Sequence, residues 1–275
     1  MNLSEIFKES FSFSIQNWKK LLIIGVLLFI PSFFGTLYQQ YQNSNVILFF
    51  ISAILAIIFG LIVEGYTLSV IGDTIKGSDL IPDITLKNNF IGGLKVLVVE
   101  IVYAIILAII FAIILAITGS LKLLPALVTT TPTATANMTA AANPAVNTVA
   151  AALPTAGPLV FVGLVLIAII AIIAMFFMVI STCRLAKTDS IKDALSWSGI
   201  IGDIKAIGVG RLIGWYILLI IIVFVITFIV GIIAALIAII PIVGAIISAI
   251  ILALLLAPFL VLFSSRAMGL LYADA

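Results

Sequence analysis

From Leu212 to Ser265 the chain reads LIGWYILLIIIVFVITFIVGIIAALIAIIPIVGAIISAIILALLLAPFLVLFSS, without one Asp, Glu, Lys or Arg. The stretch between Lys122 and Arg184 is equally free of charge. No soluble interior covers so much Ile/Leu/Val/Ala-rich sequence, so the solvent of these segments is lipid. Composition agrees: 64% of residues are hydrophobic and 9% charged, where soluble domains carry about a quarter charged residues. The mean hydropathy is +1.43.

A helix rising about 1.5 Å per residue crosses the hydrocarbon in about 20 residues. On that rule the chain is all-α, a polytopic bundle of six transmembrane helices at 21–38, 46–63, 95–118, 159–182, 212–238 and 244–264. The last two are separated only by Pro241, which removes a helical donor, and Gly244, which permits a tight reversal. Pro31 and Pro258 lie in or near spans and should leave carbonyls that need neighbours inside the bundle.

Orientation follows from the basic residues. Of the 13 Lys and Arg residues, only Lys122 falls on the second side of a six-span arrangement. The rest occupy the N-terminal segment, the second and fourth connections and the tail. The expectation is a cell-membrane protein with both termini cytoplasmic and the connection 119–157 external. Glu5 and Glu9 ahead of the first apolar run, and no small-x-small site near Pro31, argue against a cleaved signal peptide.

The cytoplasmic segments carry their own pattern. Asn2 and Glu5 match a helix-start capping box, and Phe7, Phe11, Ile15 and Trp18 recur on one face. That predicts an interfacial helix over 1–20, anchored by Trp18, Lys19 and Lys20. The motifs Asp73-Thr-Ile-Lys76 and Asp189-Ser-Ile-Lys192 lie 116 residues apart, and the same offset aligns Gly92 with Gly208 and Lys95 with Arg211. We therefore expect one membrane domain over 1–275 built as three helical hairpins, 21–63, 95–182 and 212–264. Each follows an interfacial segment: 1–20, 73–95 and 189–211. Within the second hairpin, 119–157 is a low-complexity outer loop rich in Thr and Ala, and Asn137-Met138-Thr139 is a glycosylation pattern.

Chemistry has few candidates. With no histidine and one cysteine, Cys183, the chain lacks the customary ligands for zinc, haem or iron-sulfur centres, so no cofactor is expected. Scattered basic residues give nucleic acid no binding stripe. Ionisable groups within spans are costly and read first as functional. They are Glu64, at the end of span two, and Glu100, in span three, with Lys95 and Arg211 as neighbours at similar depth. Such a set suits a solute or ion site, or a structural ion pair. Arg184 and Arg266 close spans four and six on the cytoplasmic face as positive-inside anchors, with a clamp on lipid phosphates as the alternative, and Asp189, Asp193 and Asp203 read as a solvated face.

The run from Phe11-Ser-Phe13 to Trp18-Lys-Lys20, Gly65-Tyr66, Lys76-Gly77 through Pro82, and Gly92-Gly93-Leu94-Lys95 together resemble the membrane family called domain of unknown function 4013, found mainly in archaea. Ile81-Pro82-Asp83-Ile84-Thr85 lacks the tryptophan expected there. The resemblance implies an integral membrane protein and no particular activity. The expectation is a non-enzymatic scaffold or assembly partner, with the lipid bilayer and a membrane protein or a second copy of the chain as partners. The alternative is a small-solute or ion permease using Glu64 and Glu100.

Overall fold

The computed structural model describes residues 1–42, 44–119, 158–240 and 243–274. Among them every regular element is helical: α1 (Leu3–Ile15), α2 (Trp18–Tyr41), α3 (Val46–Ile75), α4 (Leu86–Ile117), α5 (Pro158–Thr188), α6 (Ile191–Ala194), α7 (Trp197–Ile207), α8 (Val209–Ala238), α9 (Val243–Ile250), a π-helical turn (Ile251–Leu256) and α10 (Ala257–Ala273). Six helical stretches among the described residues are long and apolar enough to cross a membrane. The Thr/Ala-rich loop with Asn137, and Pro241, lie outside the described residues.

The helices outrun the hydropathy windows. α3 continues past Glu64 to Ile75, α4 begins at Leu86, ahead of Lys95, and the last span runs on through Arg266 to Ala273. Helical hydrogen bonding does not stop where hydrocarbon stops; it ends where a cap or loop supplies other partners. Glu64 and Lys95 therefore sit within helices and not at their ends.

The chain forms two compact units. Met1–Val99 with Val179–Ala275 make the first, and Glu100–Met178 the second. In the second, the Thr118 hydroxyl donates to the Ile114 carbonyl at 2.7 Å. Gly163 packs where a Cβ would come within 2.6 Å of Thr118 Oγ1.

In the first unit, α1 starts with the capping box read from the sequence. Asn2 Oδ1 accepts from the Glu5 N–H and Glu5 Oε2 from the Asn2 N–H, both at 2.9 Å. Its buried face, however, is Ile6, Phe7, Ser10, Phe13 and Ser14, while Phe11 and Ile15 point outward. The serines tolerate burial because their hydroxyls donate back into the helix, to the Ile6 and Ser10 carbonyls at 2.7 and 2.8 Å. α2 and α3 form a hairpin stacked through Tyr38 on Phe49 and Phe34 on Phe59. The core joins Phe13, Leu21, Ile24, Leu27, Ile62, Tyr66, Val70, Ile81 and Leu262, so α1, α2, α3, the connection after α3, and α10 share one interior.

Pro258 shows how the bundle absorbs a proline. The π-helical turn directly precedes it, with the Ala257 N–H bonded five residues back to the Leu252 carbonyl. The Leu254 carbonyl, which an N–H at position 258 would serve in an α-helical ladder, faces Gly25 of α2. A Cβ there would lie 2.6 Å from that oxygen.

The segments related by the 116-residue offset share helix in their second halves, 86–91 with 202–207 and 93–95 with 209–211, but differ in their first halves. Asp73 is inside α3, and residues 77–85 are irregular before α4 begins. Asp189 follows α5 with a φ of 55°, and α6 and α7 occupy the region aligned with that irregular stretch. Gly92 is helical, whereas Gly208 breaks α7 from α8 at a φ of 88°.

Candidate functional site

At the end of the first unit that carries both termini, the polar side chains of the helix ends converge. The sequence reasons for this are local. α3 and α4 cross where Gly65 meets the Asn89 carbonyl and Gly93 meets the Leu61 carbonyl, so closely that a Cβ would lie 1.6 or 1.8 Å from those oxygens. Glycine is needed for such backbone approach. Gly72 lies against the Ala186 carbonyl of α5, and Gly269 of α10 against Thr74 and the Ile71 carbonyl. α3 is thus the post onto which α4, α5 and α10 are set.

Beside the α3–α4 crossing is a cavity of about 530 Å³ lined by both helices, by Pro82, Asp83 and Thr85, and by the end of α5. Its polar residues include Ser69, Asp73, Lys76, Asn88, Asn89 and Lys95. The Ser69 hydroxyl donates to the Gly65 carbonyl at 2.9 Å and lies 3.3 Å from Asn89 Oδ1. Lys95 Nζ holds Asp189 by its carboxylate at 2.6 Å and its carbonyl at 3.2 Å.

Arg266 is the hub of the rim. Only 3% exposed, its Nη2 donates to Glu9 Oε1 at 2.5 Å and to Asp79 Oδ1 at 2.6 Å, and its Nη1 donates to the Ser78 carbonyl. Its guanidinium also lies over the Phe13 ring at 4.7 Å. One side chain therefore ties α10 to α1, to the end of α3 and to the connection beyond it. Arg184 does the same for α5, donating to Asp203 Oδ2 at 2.6 Å and to the Asp193 carbonyl at 3.0 Å. The Tyr272 hydroxyl shares Asp203 at 2.7 Å. Lys20 joins α2 to Asp83 at 2.7 Å. At the termini, Asp274 accepts from the Met1 ammonium at 2.8 Å and from Arg211. The ammonium, and then Arg211, hold the Asp274 carboxyl below its ordinary range.

The four residues singled out from sequence are distributed as follows. Lys95 pairs with Asp189 and Arg211 with Asp274, so these two bases hold different carboxylates. Glu64 lies on an exposed position of α3, and Glu100 belongs to the second compact unit, where it is half-buried. Arg184 and Arg266, expected as anchors, are engaged in ion pairs, Arg184 with Asp203 and Arg266 with Glu9 and Asp79. A readable sign existed for Arg266: the apolar Met268-Gly-Leu-Leu-Tyr272 follows it, so it does not end its helix. Asp203 is likewise engaged and not simply solvated. Among the described residues no cluster of three or more His, Cys, Asp or Glu could hold a metal ion.

The chain belongs to the family described as protein of unknown function DUF4013, whose model matches residues 48–235, more than half of the chain. The match includes Gly65, Gly92 and Gly93, the glycines of the α3–α4 crossing. No curated protein and no solved structure matches the chain.

Proposed function

We infer that this member of a family without assigned activity is a non-enzymatic scaffold or assembly partner within the cell membrane. The reading has both termini and the ion-paired rim on the cytoplasmic side, a side supported by the distribution of Lys and Arg. The observation that carries the reading is α8. Beyond Arg211 it is apolar, yet only Leu212, Trp215 and Ala234 are buried, while Phe224, Phe228, Ile229 and Ile233 are among the large side chains left uncovered. Such a face is available for van der Waals packing by a neighbouring membrane helix.

The test is photo-crosslinking in the native membrane from a benzophenone side chain placed at Phe224 or Phe228. The scaffold reading expects one discrete protein adduct from both positions, in stoichiometric yield. Lipid adducts alone would overturn it.

A permease is the second reading, motivated by the polar cavity beside the α3–α4 crossing and by Glu64 and Glu100. It expects a pH-dependent solute flux in proteoliposomes that Glu100→Gln abolishes while the protein stays folded. The scaffold reading expects indifference to that change.

A further inference from the structure

An apolar groove of about 570 Å³ runs between the outward face of α1, the start of α2, the middle of α8 and the π-helical turn with α10. Its size falls in the range of about 300–1,000 Å³ typical of ligand cavities. The residues that shape it are Phe11, Ile15, Trp18, Val230, Leu255 and Phe259, with Phe11 set edge-on to Phe259 at 5.4 Å between ring centres. An apolar cleft of this volume leaves its lining without contacts unless an apolar occupant fills it. In a membrane-spanning bundle, the occupant at hand is a hydrocarbon chain.

The mouth specifies the headgroup. Trp18, 67% exposed, stands at the groove's α1–α2 corner, where an indole sits at the level of lipid headgroups. Lys19 is the next residue, in the first turn of α2. Lys8 lies one helical turn before Phe11 and two before Ile15, on the same side of α1. Both lysines are exposed and neither forms an ion pair among the described residues. The acids of the same region are engaged: Glu5 in the α1 capping box, Glu9 and Asp79 on Arg266, Asp83 on Lys20. Lys8 and Lys19 are thus cations of this region that no carboxylate holds among the described residues.

We propose that this groove binds one acyl chain of an anionic membrane lipid, with the lipid phosphate held by Lys8 and Lys19. The scaffold reading concerns the outer face of α8; the lipid occupies the concave side between α8 and α1. Phe11 and Ile15, left outside the protein core, are then part of a lipid seat.

The experiment is native mass spectrometry of the delipidated full chain titrated with phosphatidylglycerol or phosphatidylcholine of identical acyl chains. The expected result is one lipid retained, with a preference for phosphatidylglycerol on the order of tenfold, the scale set by two lysines at a headgroup. Lys8→Gln with Lys19→Gln should remove the preference while leaving chain binding, and Val230→Trp should fill the groove and lower occupancy by both lipids. Size-exclusion elution and thermal melting establish that each variant is folded, and Ile226→Phe serves as a milder filling change should Val230→Trp fail to fold. Retention of several lipids without headgroup preference, or an unchanged adduct in the folded groove-filled variant, would overturn the proposal.

Discussion

Arg266 and Glu9, 257 residues apart in sequence, are joined at 2.5 Å. The contact ties the first helix to the last described one. It also explains why a side chain that hydropathy places at a span end is almost wholly buried: its charge is paired with carboxylates and its guanidinium lies over the Phe13 ring.

Arg266→Met should be destabilising, because Glu9 and Asp79 then face an uncharged interior edge and the stacking on Phe13 is altered. A buried pair broken from one side costs about 3–5 kcal/mol. Asp79 is 84% exposed and Glu9 38%, so solvent screens the carboxylates left behind and a loss of roughly 2–3 kcal/mol is expected. Arg266→Lys should recover only part of it, because an ammonium lacks the guanidinium fork. Reversible denaturation in mixed micelles measures both; equal stability of Arg266→Met and the parent would refute the hub.

Gly65→Ala and Gly60→Ala separate close packing from helix propensity on the same helix. A Cβ at Gly65 would fall 1.6 Å from the Asn89 carbonyl, whereas at Gly60 nothing lies within 4 Å. We expect Gly65→Ala to lower stability by about 2 kcal/mol or more, since backbone must move. Gly60→Ala should be neutral or stabilising by up to about 1 kcal/mol. Thermal melts of the two variants decide it, and similar effects from both would count against the crossing.

Asp274 gives the terminal contact a pH dependence. Its carboxyl is held below the ordinary value of 3.8 by the Met1 ammonium and Arg211. A depressed folded value means the contribution is fully present above the unfolded value and is lost as the pH falls through the folded one. A nitroxide at Ala273, attached through Ala273→Cys with Cys183→Ser, should gain mobility only as the pH drops below about 3.8. With Asp274→Asn added, the label should be mobile at neutral pH and insensitive to acid. Acid-independent mobility in the protein that retains Asp274 would remove the contact.

Cys183 is 1% exposed, with its sulfur 3.9 Å from the Met268 carbonyl of α10. It should resist maleimide in the folded protein and react once per chain after denaturation. Fast labelling of the native protein would show that α5 and α10 are not packed as described.

Much of the architecture was legible in sequence because the cost of burying charge accumulates residue by residue along the chain. The charge-free run after Arg211, the Asn2–Glu5 cap and the break before Gly244 are all local, and each has its helix or helix end. Segment boundaries were less legible, since α3 passes Glu64 and α10 passes Arg266 on hydrogen bonds that hydropathy does not register. The core-facing side of α1 was not legible in sequence, because Ser10 and Ser14 satisfy their own hydroxyls within the helix and so pass as interior residues.

By itself, the sequence determined the apolar surroundings, the helical class and the number of spans. These depend on sums over neighbouring residues. Only the tertiary structure decided which carboxylate each base would hold. Arg266 took Glu9 and Asp79, Lys95 took Asp189, and Arg211 took Asp274. A Coulombic partner is chosen by distance in space, and those distances are set by glycines that let α3 touch α4, α5 and α10 at the backbone.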